Sequence, residues 1–168
     1  MMLRPMNVLD ENEAKQAHDE LAPDDFEFLF ANPGEPWADH LQRVERDRLG
    51  VDLPEGWVPS TFLVAEVEGQ LVGRVSIRHE LNPYLEQYAG HIGYGVRPGF
   101  RRRGYATDIL RRSLTVAASV GLDRVLLTCD VDNVGSATVI ERCGGVLENV
   151  VPGPEGSAAK RRYWVEIG

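Results

Sequence analysis

From Thr61 onward the apolar residues recur with periods that identify the elements. In "TFLVAEVEGQLVGRVSIRHEL", two runs rich in apolar and β-branched residues flank Glu68-Gly69, the pattern of a hairpin with a turn of the three-to-five-residue kind. "GHIGYGV", residues 90–96, reads as another strand, ended by Pro98 because proline cannot donate to a ladder. From about Gly104 to Val120 the period lengthens to that of a helix. Ala106, Ile109, Leu110, Leu114, Ala117 and Ala118 fall on one face, and Gly121 terminates the run. "RVLLTCDV" (124–131) is the continuous apolar run of a buried strand. "NVGSATVIERCGG" predicts a second helix with a Gly-Gly stop, and "VLENVV" and "RRYWVEI" predict two further strands joined by the turn-rich "PGPEGSAAK".

The first third is less regular. Residues 3–9 predict a short strand, and 11–21 a helix begun by Asp10. The stretch 23–60 carries Pro23, Pro33, Pro36, Pro54 and Pro59, with a helix predicted from Trp37 to Leu49 between them. A strand–helix–strand–helix–strand core preceded by antiparallel strands predicts a mixed α/β sheet with helices on both faces. At 168 residues the chain is expected to fold as one domain, 1–168, long enough to bury a substantial core.

Composition narrows the class. The chain is 43% apolar and 26% charged, ordinary for a globular protein. No apolar run approaches the roughly 18 residues of a membrane span. "MMLRPMNVLDENEAKQAHDEL" has neither the apolar region nor the small-residue cleavage site of a secretory signal, so a cytoplasmic protein without a membrane partner is expected. Cys129 and Cys143 are expected as core thiols rather than a disulfide. His18, His40, His79 and His91 show no metal-ligand spacing, so no metal is expected. The net charge of -8 argues against nonspecific nucleic-acid binding and is compatible with a cationic substrate.

Against that acidity, "VRPGFRRRGYATDIL" (96–110) gathers Arg97, Arg101, Arg102 and Arg103 at a strand-to-helix junction. A helix N-terminus exposes unpaired N–H groups and a partial positive charge, a natural seat for phosphate. Gly104 lets the backbone approach a ligand closely. The helix-end field supplies about 0.3–1 kcal/mol when exposed, whereas each charge-assisted hydrogen bond to phosphate supplies about 1.5–3 kcal/mol. Amides and arginines together can therefore hold a diphosphate; a solvated basic turn tied to acidic neighbours is the alternative. The spacing fits neither a P-loop nor the G-x-G-x-x-G fingerprint, and what remains is R-x-x-G-x-A at Arg101, Gly104 and Ala106.

Here the sequence resembles the GCN5-related N-acetyltransferase (GNAT) superfamily, whose acyl-CoA signature [QR]-x-x-G-x-[GA] follows a strand ending in V-x-P. "VRPGFRRRGYA" matches it, and "TCDVDNVGSATVIERCGG" follows at the expected distance. The stretches "WVPSTF", "GRVSIRHELN", "GHIGYGVRP", "LLTCDVDNVGSATVIE" and "GGVLEN" resemble a bacterial subgroup of predicted acetyltransferases. The resemblance implies a central, mostly antiparallel sheet with helices on both faces. It implies an acyl-CoA-binding core over 90–145 and a variable acceptor side over 23–60. It implies acetyl-CoA as co-substrate, a small-molecule or peptide amine as acceptor, and association into a homodimer through the C-terminal strands. Carried over by position, the amides of Arg102, Arg103, Gly104, Tyr105 and Ala106, with Arg101 and Thr107 nearby, would bind the CoA diphosphate. Val96 would offer main-chain groups to the pantetheine arm and an N–H near the oxyanion. Asn133 would bond the arm or order its loop, and the thioester would lie where the strands ending at Val96 and Asp130 splay.

Two positions depart from the family pattern. The tyrosine that many members use to protonate the leaving thiolate aligns with Ile140, and the phenylalanine that often follows the helix-ending glycine aligns with Gly145. Ser136 resembles the serine used near the thiolate by ribosomal-protein-type N-terminal acetyltransferases and is the candidate acid. An ammonium of pKa near 10 is neutral in only about one molecule in a thousand at pH 7, so reaching the nucleophilic form costs about 4 kcal/mol. His91, where related sequences carry a glutamate, is the candidate base, with a structural role as its alternative. His79 and Glu80 could bind the amine; a cap or a hairpin salt bridge explains them equally. Strict alternation puts Tyr94 opposite His91, in the core. Trp37, Trp57 and Trp164 are candidates for an aromatic acceptor pocket, with core packing as the alternative. A non-catalytic acyl-CoA-binding sensor is the second functional reading.

Overall fold

The computed structural model describes residues 1–168. In chain order the elements are β1 (Met2–Arg4), α1 (Glu11–Leu21), α2 (Trp37–Leu49), β2 (Ser60–Val67), β3 (Gln70–Arg78), β4 (Ile92–Val96), α3 (Tyr105–Ser119), β5 (Arg124–Asp130), α4 (Val134–Arg142), β6 (Val146–Val151) and β7 (Lys160–Glu166). The sheet is built as two antiparallel blocks, ordered β1-β2-β3-β4 and β5-β7-β6. The blocks meet where the start of β4 touches β5 through one bridge, Gly90 to Leu127.

Alternation along the strands divides the interior into two layers. Leu63 and Ala65 of β2, Val75 and Ile77 of β3, and Ile92 and Val96 of β4 join Ile109, Leu110 and Ala117 of α3 and Ile140 of α4 in one core. Phe62 and Val64 point the other way and pack with Ala14, Ala17 and Leu21 of α1, Trp37 of α2 and Phe28. On β3 this second side carries Arg74, Ser76 and Arg78, interleaved with Val75 and Ile77. A strand in the middle of a sheet thus turns a polar row toward α1 and α2.

Several expected boundaries shift for local reasons. The β2–β3 turn has two residues, not three to five: Val67 pairs with Gln70, and Glu68 and Gly69 have φ of 50° and 79°. That is the positive-φ pair a type I′ hairpin requires. β1 ends at Arg4 rather than residue 9, because Pro5 has no N–H and Asn7 opens a helical turn. Asn7 Oδ1 accepts the Leu9 N–H (2.8 Å), while the Asp10 carboxylate accepts the Asn7 N–H (2.7 Å). On α3, Ala118 is exposed and Ser113 is buried in its place. The Ser113 hydroxyl donates to the Ile109 and Leu110 carbonyls at 2.7 and 2.9 Å, which removes the cost of burying it.

Arg97 fastens α1 to the end of β4. It is 5% exposed, and its guanidinium donates to Glu20 (2.8 Å, twice), Glu13 (2.9 Å) and the Leu71 carbonyl (2.8 Å). The guanidinium holds the Glu20 carboxyl below the usual range. The two carboxylates are 32% exposed, so losing the guanidinium leaves charges that water partly solvates, and the main loss is that of charge-assisted hydrogen bonds worth about 1.5–3 kcal/mol. Arg97→Met is accordingly expected to lower unfolding free energy by about 1.5–3 kcal/mol, measured by urea denaturation; a loss below about 0.5 kcal/mol would show that the pair does not fasten α1.

Candidate active site

The site is set by how β4 leaves β5. The His91 N–H donates to the Leu126 carbonyl at 2.7 Å, and the Leu126 N–H donates back to His91 Nδ1 at 2.9 Å. A side-chain nitrogen thereby supplies one half of a strand-like pair. A Cβ on Gly90 (φ 67°) would lie 2.3 Å from the Leu126 oxygen, so glycine is required for this approach. Beyond His91 no ladder joins the two strands. A cleft of about 300 Å³ opens there, lined among others by Gly93, Tyr94, Cys129, Asn133 and Ser136.

This geometry corrects the role expected for His91. Its Nδ1 lone pair is occupied by the Leu126 N–H, which puts the ring proton on Nε2. The residue is buried beside Trp164, outside the cleft wall. Burial, aided by the Arg78 charge, pushes its pKa down to about 4. A neutral imidazole whose basic nitrogen is already bonded cannot take a proton from an acceptor.

Tyr94 is the group that sequence reasoning placed elsewhere. Its ring packs on the first core, but its hydroxyl reaches the cleft and lies 3.1 Å from Ser136 Oγ. Burial pushes the phenol up to about 12, so it stays protonated, and either hydroxyl can be the donor to the other. Asn133 caps α4, accepting the Ser136 N–H at 3.0 Å, and so fixes where Ser136 stands. Ile140 is fully buried in the core. A Cβ on Gly145 would sit 2.4 Å from Ile140 Cγ2, so the two departures from the family pattern are one packing arrangement. Cys129 and Cys143 are free thiols, both pushed up by burial.

At the head of α3, Arg102 and Gly104 take positive φ (63° and 83°). The first N–H with a backbone acceptor is that of Asp108, to the Gly104 carbonyl. The six amides from Arg102 to Thr107 have no partner within the protein. A Cβ on Gly104 would meet nothing within 4 Å, so its φ, rather than a close contact, demands glycine. The arginines divide. Arg97 is internal, Arg101 donates to Asp24 (2.6 Å) and to the Val96 carbonyl (3.1 Å), and Arg103 donates to the Gly99 carbonyl (3.1 Å). Arg102 has no hydrogen-bond partner and is exposed.

On the opposite side, the 26–30 segment, α2 and β2–β3 enclose a second cavity of about 500 Å³, lined by Phe30, Trp57, Phe62, Asp47 and Arg78 among others. Phe30 and Arg78 line both cavities. Arg74 is buried between the Phe26 and Phe30 rings, 4.1 and 4.6 Å from their centroids, and donates to the carbonyls of Glu27 (2.5 Å), Gly93 (3.0 Å) and Phe28 (3.2 Å). Burial pushes it down to about 9, still protonated at neutral pH. Of the three tryptophans, only Trp57 lines this cavity; Trp37 is core and Trp164 packs on His91. His79 and Glu80 lie outside both cavities, His79 Nε2 being 2.8 Å from the Thr61 hydroxyl, so the expectation that they hold the amine does not fit. Arg74 and Arg78 went unnoticed in the sequence, although alternation with Val75 and Ile77 marks them.

Two antiparallel blocks splayed around a cleft, with an open cradle of amides at the head of the central helix, define the acyl-CoA N-acyltransferase class of fold. A family model described as Acetyltransferase (GNAT) family matches residues 16–145, and the chain belongs to that family. An acetyltransferase of Pectobacterium atrosepticum is 34% identical over 102 residues, covering 58% of this chain and 61% of that protein. Among solved structures, the microcin C7 self-immunity acetyltransferase MccE, in complex with acetyl-CoA and AMP, superposes with a TM-score of 0.70 at 19% identity over 98% of this chain and 91% of that one. RimL, a ribosomal L7/L12 α-N-protein acetyltransferase in complex with coenzyme A, superposes with a TM-score of 0.69 at 16% identity over 98% and 92%.

The histidine clamp generates a stability prediction. His91→Ala leaves the buried Leu126 N–H unpaired and is expected to cost about 1–3 kcal/mol at neutral pH. The native imidazole titrates near 4, against about 6.5 in the unfolded chain. The unfolded state therefore binds more protons between those values, and wild-type stability falls as pH drops through that window. Urea melts from pH 7 to 4 should show a shallower fall in the variant.

Proposed function

We propose that the chain is an acetyl-CoA-dependent N-acetyltransferase that moves an acetyl group to a primary amine by direct attack. The observation that carries this reading is the run of unpaired amides from Arg102 to Thr107 at the head of α3, in a chain whose cleft between β4 and β5 is lined by the paired Tyr94 and Ser136 hydroxyls. The amides, with Arg102 beside them, would hold the diphosphate of coenzyme A. The capping oxygen of Asn133 is engaged by Ser136, leaving its NH2 group for the pantetheine arm. The ligands of MccE and RimL, two proteins of this fold, support the same donor.

In the reaction the amine nitrogen attacks the thioester carbon and the C–N bond forms as the C–S bond breaks. Nitrogen loses one proton and sulfur gains one, giving an amide and the CoA thiol. A phenol near 12 holds its proton more tightly than a thiol of about 8.5, so Tyr94 with Ser136 stabilises the departing thiolate by hydrogen bonding. On the acceptor side, the charge of Arg74 and exclusion of water by Phe26 and Phe30 both disfavour an ammonium, which supplies the neutral nucleophile without a dedicated base. The buried Ile140 is the one feature that favours a non-catalytic acyl-CoA sensor instead.

Calorimetry with coenzyme A is expected to give saturable binding, weakened at least tenfold in Gly104→Val. Tyr94→Phe and Ser136→Ala are expected to lower kcat for thiol release from acetyl-CoA by about 10–100-fold, leaving CoA affinity in place. Binding of CoA without thiol release on any polyamine, aminoglycoside, amino acid or peptide would establish the sensor. β6 supports the homodimer reading: it is a free sheet edge on which Val146, Leu147 and Val150 are exposed. Sedimentation is expected to give a dimer that Val146→Glu with Val150→Glu converts to monomer.

A further inference from the structure

Arg74 and Arg78 lie on the same face of β3 with Ser76 between them, and neither has a carboxylate within 4 Å. Most other arginines in this region are neutralised: Arg43 by Glu35 and Asp47, Arg97 by Glu13 and Glu20, Arg101 by Asp24. A guanidinium withdrawn from water without a counter-charge costs several kcal/mol unless its donors are met. For Arg74 they are met by three carbonyls and two aromatic faces. For Arg78 they are not.

Arg78 makes one hydrogen bond, from Nη1 to the Gly90 carbonyl at 3.0 Å, and Nε and Nη2 have no acceptor in the protein. Neither atom is sealed off in the interior: the one buried side-chain polar atom without a partner is His40 Nε2. The spare donors therefore keep some access to solvent, and Arg78 lines both the larger cavity and the cleft. A planar fork of free N–H groups matches a carboxylate or phosphate in two-point contact. Around it the larger cavity offers Phe30, Trp57, Phe62 and Leu85, surface for an apolar body.

We infer that Arg78 is the docking point for an oxyanion carried by the acceptor, so that the substrate is an amine bearing a carboxylate or phosphate-like group and an apolar portion. The inference rests on the acetyltransferase reading for the word acceptor, but oxyanion binding itself does not require turnover. Bound to Arg78, the anion sits at the wall the two cavities share, its apolar part enters the larger one, and the amine is directed into the cleft beside Tyr94. Glu27, exposed at the rim of the larger cavity, pairs with neither arginine and leaves this charge intact.

Calorimetry on the CoA-loaded protein tests this with three probes that share a benzyl group: phenylacetate, its isostere phenylacetamide, and benzylphosphonate. The two acids are expected to bind at least tenfold more tightly than the amide, and their order tells carboxylate from phosphate. In Arg78→Met the preference should fall to less than twofold, in Arg78→Lys part of it should remain, and CoA affinity should be unchanged in both, which reports that the variants are folded. Equal affinity for acid and amide in the wild type, including no binding of any probe, overturns the inference, as does a preference that survives in Arg78→Met. Thiol release with L-phenylalanine against L-phenylalaninamide is read separately. A preference for the amide overturns the inference, whereas release with neither, alongside acid-selective binding, keeps the oxyanion site and counts against the transferase reading instead.

Discussion

The active-site region depends on the pairing of His91 with Leu126. Two sheet blocks that share no ladder need a fixed hinge line, and here it is one bridge at Gly90 plus a side-chain nitrogen that stands in for a backbone carbonyl. Had β4 continued to pair with β5, the backbone groups of β4 that face away from β3 would be closed to any ligand. Had the blocks not been pinned, the cleft would have no defined width. The imidazole satisfies the N–H that ends the contact, so the strands part at a definite residue without leaving a buried donor unpaired. A histidine suits this only while neutral, and burial keeps it so.

The concentration of arginine at 97–103 acquires a different meaning in three dimensions. Arg97 is an internal strut between α1 and the end of β4, and Arg101 is tied to Asp24. The positive field at the head of α3 is thus due mainly to unpaired amides and to Arg102 and Arg103, which no carboxylate neutralises. What the sequence spacing marks at this junction is a backbone conformation, positive φ at Arg102 and Gly104, that side-chain charge does not create. The guanidinium groups orient the loop around that conformation by fastening its flanks.

What could be read from sequence follows the same division. Regular elements were legible where period and terminator agreed: α2 spans Trp37–Leu49 as its flanking Pro36 and Gly50 indicate, and α3 is bounded by Gly104 and Gly121. The hairpin turn was misjudged in length because Glu68 is an uncommon residue at positive φ, and β1 was overextended past Pro5. Within the candidate site, Gly104, Asn133 and Ser136 carry motif spacing, and the structure gives Gly104 a positive φ and Asn133 a capping bond to Ser136. His91 was misassigned because its partner, Leu126, is thirty-five residues away and is contacted through the backbone, which no residue pattern reports. Tyr94 obeys the alternation that places its ring in the core, and only its length brings the hydroxyl out to Ser136.

The acceptor side shows why bulk charge is a poor guide to a site. A net charge of -8 is compatible with a cationic ligand, yet the residues the two cavities share are Phe30 and Arg78, and Arg78 has no carboxylate partner. Acidic residues are abundant and near: Glu27 and Asp47 line the larger cavity, and Asp130, paired with Lys160, lines the cleft. None is placed to neutralise Arg74 or Arg78, while Glu35 is placed to neutralise Arg43 with two short bonds and is itself drawn down to about 2. Where a fold compensates one buried arginine fully and leaves another beside an open cavity with spare donors, the difference is local and chemical. Aromatic faces and carbonyls account for Arg74, and only a ligand completes Arg78.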